Sequence, residues 1–345
     1  MTKQLVKKLS DAHGIPGGEG SVQEIIRAEI SPHVDEIRTD AMGNLIAIRQ
    51  GGPLKVMLAA HTDEIGLMVK YIDDGGFLRF VTFGGWYAPT LYNQRVVVHG
   101  KKKPLFGVVG GKPPHAMSDE ERKKEVKVED MFIDIGASSR KEAEKLGVEV
   151  GSEVSVDREC VELAGTRITG KAFDDRVGVA LLIRVLQEAR TEHTLIGVFT
   201  VQEEVGTKGA KTSAYLLEPD CAVAMDVTFP GDHPGIEKKD SSLELGKGPS
   251  ITISDANGRG LIARKKMVEW LRAAAVKAKI PVQLNVGKGG TTDATAIHLE
   301  RGGIPSTVLE IPVRYIHSPV EVMDLQDFED GVRLMIAALK GAPDL

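Results

Sequence analysis

Cysteine is scarce in this chain. The 345 residues contain two, Cys160 and Cys221, and their spacing suggests neither a disulfide framework nor a thiolate metal site. Cys221 opens the apolar run Cys221-Ala222-Val223-Ala224-Met225, so it reads as a buried structural residue. Long apolar stretches are missing too: none approaches the ~20 residues that a membrane-spanning helix needs. The first residues, Met1-Thr2-Lys3-Gln4-Leu5, turn amphipathic at once and lack the apolar core of a secretion signal. There is no strong surplus of one charge either. A net charge of -5 with both signs interspersed gives no reason to expect a nucleic-acid partner or an acidic membrane. Repeats and low-complexity segments are absent as well. A cytoplasmic protein fits these absences best.

What is present is ordinary for a globular chain with a sizeable core: 42% hydrophobic and 27% charged residues. The length predicts two domains. Over the first sixty residues helices and strands alternate. Ser21 and Glu24 have capping-box spacing ahead of Ile25 and Ile26, and short strands are expected at residues 35–38 and 45–49. The run Lys55-Val56-Met57-Leu58-Ala59-Ala60 suits a strand covered on both faces. From residue 67 to 157 the pattern changes to short strand-like runs separated by glycine, proline or charge clusters, as in a small β-rich domain. From Gly170 the α/β rhythm returns. The economical reading is one discontinuous α/β domain, residues 1–65 and 160–345, a mixed-sheet three-layer unit. A β-barrel-like domain, residues 66–159, is inserted into it.

The polar residues that call for explanation sit where predicted buried strands end. His61 follows one such strand, Glu203 and Glu204 another, Asp226 a third, and His317 lies shortly after a fourth. Asp174 and Asp175 join them at the start of a helix. In open α/β sheets, ligands gather beyond the carboxyl ends of the strands. Taken singly, His61 reads as a hydrogen-bonded structural histidine and Asp174 as a helix cap. Together, at one edge of one sheet, two imidazoles and several carboxylates without cysteine suit Zn²⁺, Co²⁺ or Mn²⁺. Asp63 is placed to accept the second imidazole N–H of His61 and so fix its orientation. Chemistry alone leaves open which of Asp174/Asp175 and which of Glu203/Glu204 binds metal.

Six blocks, in order, carry a family resemblance. They are Ala60-His61-Thr62-Asp63-Glu64-Ile65-Gly66, Lys171-Ala172-Phe173-Asp174-Asp175-Arg176, Val201-Gln202-Glu203-Glu204-Val205-Gly206, Ala224-Met225-Asp226, Gly289-Gly290-Thr291-Thr292-Asp293-Ala294 and Pro312-Val313-Arg314-Tyr315-Ile316-His317-Ser318. Along essentially its whole length the chain resembles the tetrahedral (TET) aminopeptidases. That metallopeptidase family includes glutamyl and deblocking aminopeptidases and relatives labelled endoglucanase. The resemblance implies a cytoplasmic metalloaminopeptidase with two divalent ions, Zn²⁺ or Co²⁺. Asp174 would bridge both ions, His61 and Asp226 would complete one site, and Glu204 and His317 the other. Glu203 would be the catalytic base, with Asp63 beside His61 as its companion in catalysis. Peptides would be the substrates, and dimers joined through the inserted domain would build a tetrahedral dodecamer.

Three other readings compete. One is a different metal-dependent amide hydrolase on the same scaffold, a deacylase or a carboxypeptidase-like enzyme, for which Arg314 is the candidate carboxylate-binding cation. Another is a glycosidase, which works with two carboxylates and no metal. The last is a non-catalytic peptide-binding scaffold. The run Gly287-Lys288-Gly289-Gly290-Thr291-Thr292-Asp293 lacks Walker spacing and reads as a glycine-rich turn into a helix. The polar segment 229–247 reads as a loop near the site.

Overall fold

The structure of the protein, a computed structural model, describes residues 2–345. Its layering follows from one strand. In β3 (Gly52–His61), Val56, Leu58 and Ala60 enter one hydrophobic cluster, while Met57 and Ala59 enter another. Successive strand side chains face opposite ways, so this apolar run needs cover on both sides. Helices Thr2–Asp11, Gly20–Ile30, Phe173–Glu188, Lys265–Ala278 and Leu325–Ala338 supply one cover. Helices Lys208–Leu217 and Asp293–Ile297 supply the other.

Around β3 the sheet is built from β1 (Glu36–Thr39) and β2 (Leu45–Arg49), and from eight strands beyond the barrel: β10 (Val161–Glu162), β11 (Arg167–Gly170), β12 (His193–Thr200), β13 (Cys221–Thr228), β14 (Ser250–Ser254), β15 (Gln283–Val286), β16 (Ser306–Arg314) and β17 (Glu321–Asp324). The order is β1-β2-β12-β3-β13-β16-β17-β11-β10, with β14 and β15 attached beside β16. Its centre, β12, β3, β13 and β16, is parallel, and antiparallel strands flank it. Four carboxyl ends therefore open on the same edge.

Between β3 and β10 the chain forms a closed antiparallel barrel, ordered β4 (Gly66–Ile72), β5 (Leu78–Phe83), β8 (Phe132–Asp134), β7 (Pro104–Gly110), β6 (Arg95–His99) and β9 (Glu153–Val156). It has its own core, including Leu67, Val69, Leu78, Phe80, Ile133 and Val154. Gly66 sits where barrel and sheet domain meet; a Cβ there would lie 2.0 Å from the Ile15 side chain. The mixed α/β architecture with an inserted barrel is the expected one.

Local expectations fared unevenly. Ser21 does not cap its helix: Glu19 is the N-cap residue, without a side-chain cap bond, and the Ser21 hydroxyl donates to the His13 carbonyl. Asp226 lies inside β13, which continues to Thr228, rather than at its end. Strands β9, β11, β14 and β17 carried no sequence signal strong enough to place them. They are four or five residues long, too short for alternation alone to place them. The equally short β1 and β2 are marked instead by the Gly43-Asn44 turn that joins them.

Candidate active site

The sheet delivers most of the site. His61 is the last residue of β3, Glu203 and Glu204 follow β12, Asp226 comes from β13, and His317 from the turn after β16. Asp174 enters from the segment that opens the helix Phe173–Glu188. Its two carboxylate oxygens face different imidazoles: Oδ1 lies 3.0 Å from His61 Nε2, and Oδ2 lies 3.3 Å from His317 Nε2. Glu204 Oε2 is also 3.3 Å from His317 Nε2, and Glu203 Oε2 is 3.9 Å from His61 Nε2. His61, Asp175 and Asp226 offer ligand atoms within 4.8 Å of one another, as do His61, Asp174 and Glu204. All the residues singled out at the strand ends are thus brought together.

Five of them, His61, Asp174, Glu203, Glu204 and His317, are held by their backbone amides through a buried carboxylate. Asp63 accepts the amide N–H groups of Glu203 and Glu204, both at 3.0 Å. That differs from the expected role, because the His61 Nδ1–H donates to the Asp63 backbone carbonyl at 3.1 Å, and the Asp63 carboxylate is 3.7 Å away. Glu321 accepts the amides of Asp174 and His317, each at 3.1 Å. Asp175 accepts those of His61 at 3.2 Å and Gly178 at 2.9 Å, which separates it from Asp174, whose oxygens face the imidazoles. Sequence reasoning missed Glu321 because it sits on the unplaced strand β17. Ala172, Gln202 and His317 adopt left-handed backbone angles beside these groups, at a cost of about 1–3 kcal/mol each. From the barrel side, the Gly84-Gly85 turn closes on the site: a Cβ on Gly85 would lie 2.7 Å from His317 Nδ1.

The electrostatics ask for cations. Burial, with Asp174 close by, pushes the Asp226 carboxyl well above its usual range. Burial likewise raises Glu203, opposed by His61 and reinforced by Asp226, Asp293 and Glu204. Burial resists charge on the imidazoles, yet hydrogen bonds to Asp174 and Glu204 lift His317 to about 11, and the hydrogen bond to Asp174, with the Asp63 and Glu203 carboxylates close by, raises His61 well above normal. Those same imidazoles hold Asp174 well below the usual carboxylate range against its burial. The buried cations nearby do not help, because Lys171 at 2.8 Å and Arg176 at 3.4 Å both bind Glu64. Glu204 Oε1 is buried without a partner. With Nδ1–H committed to a carbonyl, His61 Nε2 turns a lone pair toward carboxylate oxygens, so a proton or a metal ion belongs between them. Two imidazoles and oxygen donors without thiolate fit hard-to-borderline divalent ions.

A cavity of about 980 Å³ opens from this cluster. The loop at 229–247 and the glycine-rich turn at 287–292 line it, through Lys238–Leu243 and Gly287–Thr292, as the sequence suggested for the loop. Arg314 is not free to hold a substrate carboxylate: it grips Asp232 through Nε at 3.0 Å and Nη2 at 2.6 Å. Two buried acids in the cavity, Glu310 and Asp255, escaped sequence reasoning because each lies in or beside an otherwise apolar strand. Burial chiefly pushes the Glu310 carboxyl up to about 7.

The comparisons with known proteins identify the family. The family described as M42 glutamyl aminopeptidase matches residues 43–334. A putative aminopeptidase of Acetivibrio thermocellus is 42% identical, covering 97% of each chain. The structure of the aminopeptidase APDkam598 from the archaeon Desulfurococcus kamchatkensis superposes with a TM-score of 0.95 at 45% identity, covering 99% of this chain and 95% of that one. The TET1 peptidase of Pyrococcus horikoshii, described as able to assemble into a tetrahedron or a large octahedral shell, gives a TM-score of 0.90 at 34% identity over 99% and 100% of the two chains. The chain belongs to the M42 family of metallopeptidases and is an aminopeptidase of that family.

Proposed function

We propose that the chain removes the N-terminal residue of short peptides at a site for two divalent ions, Zn²⁺ or Co²⁺. In this reading Asp174 serves both ions, His61 and Asp226 complete one, and Glu204 and His317 the other. The observation that carries it is Asp174, whose two oxygens each face a different imidazole. When bound, such a metal pair acidifies water and polarises the scissile carbonyl.

Glu203 is the base. No protein group among the described residues donates to its carboxylate, and burial raises its proton affinity, which suits a group that must both take and return a proton. It removes the proton of the attacking water and hands it to the departing amine. Asp63 acts through Glu203 and Glu204, fixing the amides of both so that one carboxylate stays free while its neighbour binds. Glu321 does the same for Asp174 and His317. The engaged Arg314 weighs against a carboxypeptidase-like reaction.

We also propose that residues 66–159 are the dimerisation domain and that dimers build a tetrahedral dodecamer. Support comes from the assembly described for the Pyrococcus horikoshii relative and from exposed Phe106 and Val108 on the barrel. No helix among the described residues is long and apolar enough to cross a membrane, which is compatible with a cytoplasmic enzyme.

Glu203→Gln tests the chemistry. Metal content measured by elemental analysis should persist while turnover of amino-acyl coumarin amides falls about 10²–10⁴-fold. Near-normal turnover removes Glu203 from the base role.

A further inference from the structure

The cavity extends past the metal cluster along the sheet. In the parallel register of β13 and β16, Asp226 lies directly opposite Glu310. The two carboxylates therefore leave the same face on strands about 5 Å apart. Asn285 Nδ2–H donates to Glu310 Oε2 at 3.0 Å; among the described residues no cation pairs with Glu310. Asp255, just after β14, lines the same cavity. One of its oxygens accepts the Leu261 amide, and the other, Oδ2, is buried without any partner. Thr252, on β14 three residues before Asp255, is buried with its hydroxyl close to Glu310. The imidazole within electrostatic reach of Asp255, His298, is engaged through Nδ1 with the Ala294 carbonyl.

Neither acid is matched by the lysines of the cavity mouth. Lys238 binds Glu244 at 3.2 Å, Lys239 binds Glu237 at 2.6 Å, and Lys288 binds Asp240 at 3.0 Å, all with mostly exposed ammonium groups. An uncompensated buried carboxylate is costly, and a ligand that brings a cation relieves that cost. Leu284 and Val286 add apolar surface in the same cavity, suited to a methylene stem whose charged tip travels on to an acid.

We propose that this arm of the cavity receives the side chain of the substrate's N-terminal residue and selects a cationic one, lysine or arginine, through Glu310 and Asp255. The assignment rests on the aminopeptidase reading above. An acidic side chain would meet two buried acids here, and a leucine would bury both without a cationic partner.

The test uses the metal-loaded enzyme and coumarin amides of lysine, arginine, leucine and glutamate. Lysine and arginine should exceed leucine in kcat/KM by about tenfold or more, as expected for a hydrogen-bonded charge pair. Glu310→Gln and Asp255→Asn, near-isosteric changes that keep the acceptors for Asn285 and Leu261, should each shrink the lysine-to-leucine ratio. Preference for leucine or glutamate, or a ratio unmoved in both variants, overturns the proposal. A second readout is independent of turnover: calorimetric binding of lysinamide and leucinamide to metal-loaded Glu203→Gln. If no free-amine substrate turns over but lysinamide binds about tenfold more tightly, the catalytic reading falls and the pocket assignment stands. Equal binding of the two amides overturns the pocket assignment itself.

Discussion

Two buried charge clusters lie back to back in this molecule, and they differ in one respect. Glu64 is as buried as the acids of the active site, yet Lys171 and Arg176 both reach it. Burial alone would raise its carboxyl, but those two cations hold it below its usual range. Arg176 also donates to the carbonyls of Leu9, Ala12, Gly14 and Thr62, tying the N-terminal segment to the turn that carries His61. On the other side of that turn, Glu203, Glu204 and Asp226 share two imidazoles and no lysine or arginine, and burial raises all three. A charge cluster that is complete within the chain holds the fold together. One that is incomplete waits for ions or substrate from outside.

The comparison breaks most visibly at the complete cluster. Arg176→Met removes one of the two cations on Glu64 and strands four carbonyls, and should cost about 3–5 kcal/mol, read as a lower denaturant midpoint that added metal does not restore.

At the incomplete cluster the expected effect is a pH dependence that metal reverses. Glu203 and Asp226 have raised folded-state values, so the stability they contribute is full below their unfolded values and is lost as pH rises through the folded ones. His317, lifted from 6.5 to about 11, loses its contribution across that upper range too. Asp174 is lowered and its contribution stays constant there, since it would be lost only on acidification. Metal-free protein should therefore melt at lower temperature near about pH 9 than near about pH 5, and saturating Zn²⁺ should remove the slope. A metal-free melting temperature that climbs with pH would contradict the assignment.

A smaller effect is expected where the incomplete cluster is braced. Glu321→Gln keeps the volume but weakens the grip on the Asp174 and His317 amides. Metal affinity or kcat should fall about 10–100-fold, whereas a purely structural role would lower the melting temperature and leave metal affinity alone. The smallest effect belongs to the cavity mouth. Lys239→Gln breaks an ion pair whose side chains are 72% and 70% exposed, and stability should change by less than about 0.5 kcal/mol.

Much of the site was legible in the sequence because its residues follow buried apolar strands. His61 and Glu203-Glu204 could be aligned at one edge from hydrophobic runs alone, since parallel strands that are covered on both faces leave ligands at their carboxyl ends. The same logic read the β-rich insertion from glycine and proline spacing. Where it stopped is instructive. Asp63 was given the imidazole of His61, its neighbour two residues away, whereas its carboxylate holds amides 140 and 141 residues on. Glu321 and Glu310 carry no local signal, because what they do depends on which strand lies beside theirs.

By itself the sequence determined the sheet's apolar centre, the insertion, and the residue types gathered at the strand ends, because periodicity and chain punctuation are local properties. Only the tertiary structure decided which aspartate of the 174–175 pair faces the imidazoles, which acids brace the others, and which are left without a cation. Those outcomes depend on burial and on distances between segments far apart in the chain, where a carboxylate's energy is set by its surroundings and not by its neighbours in sequence.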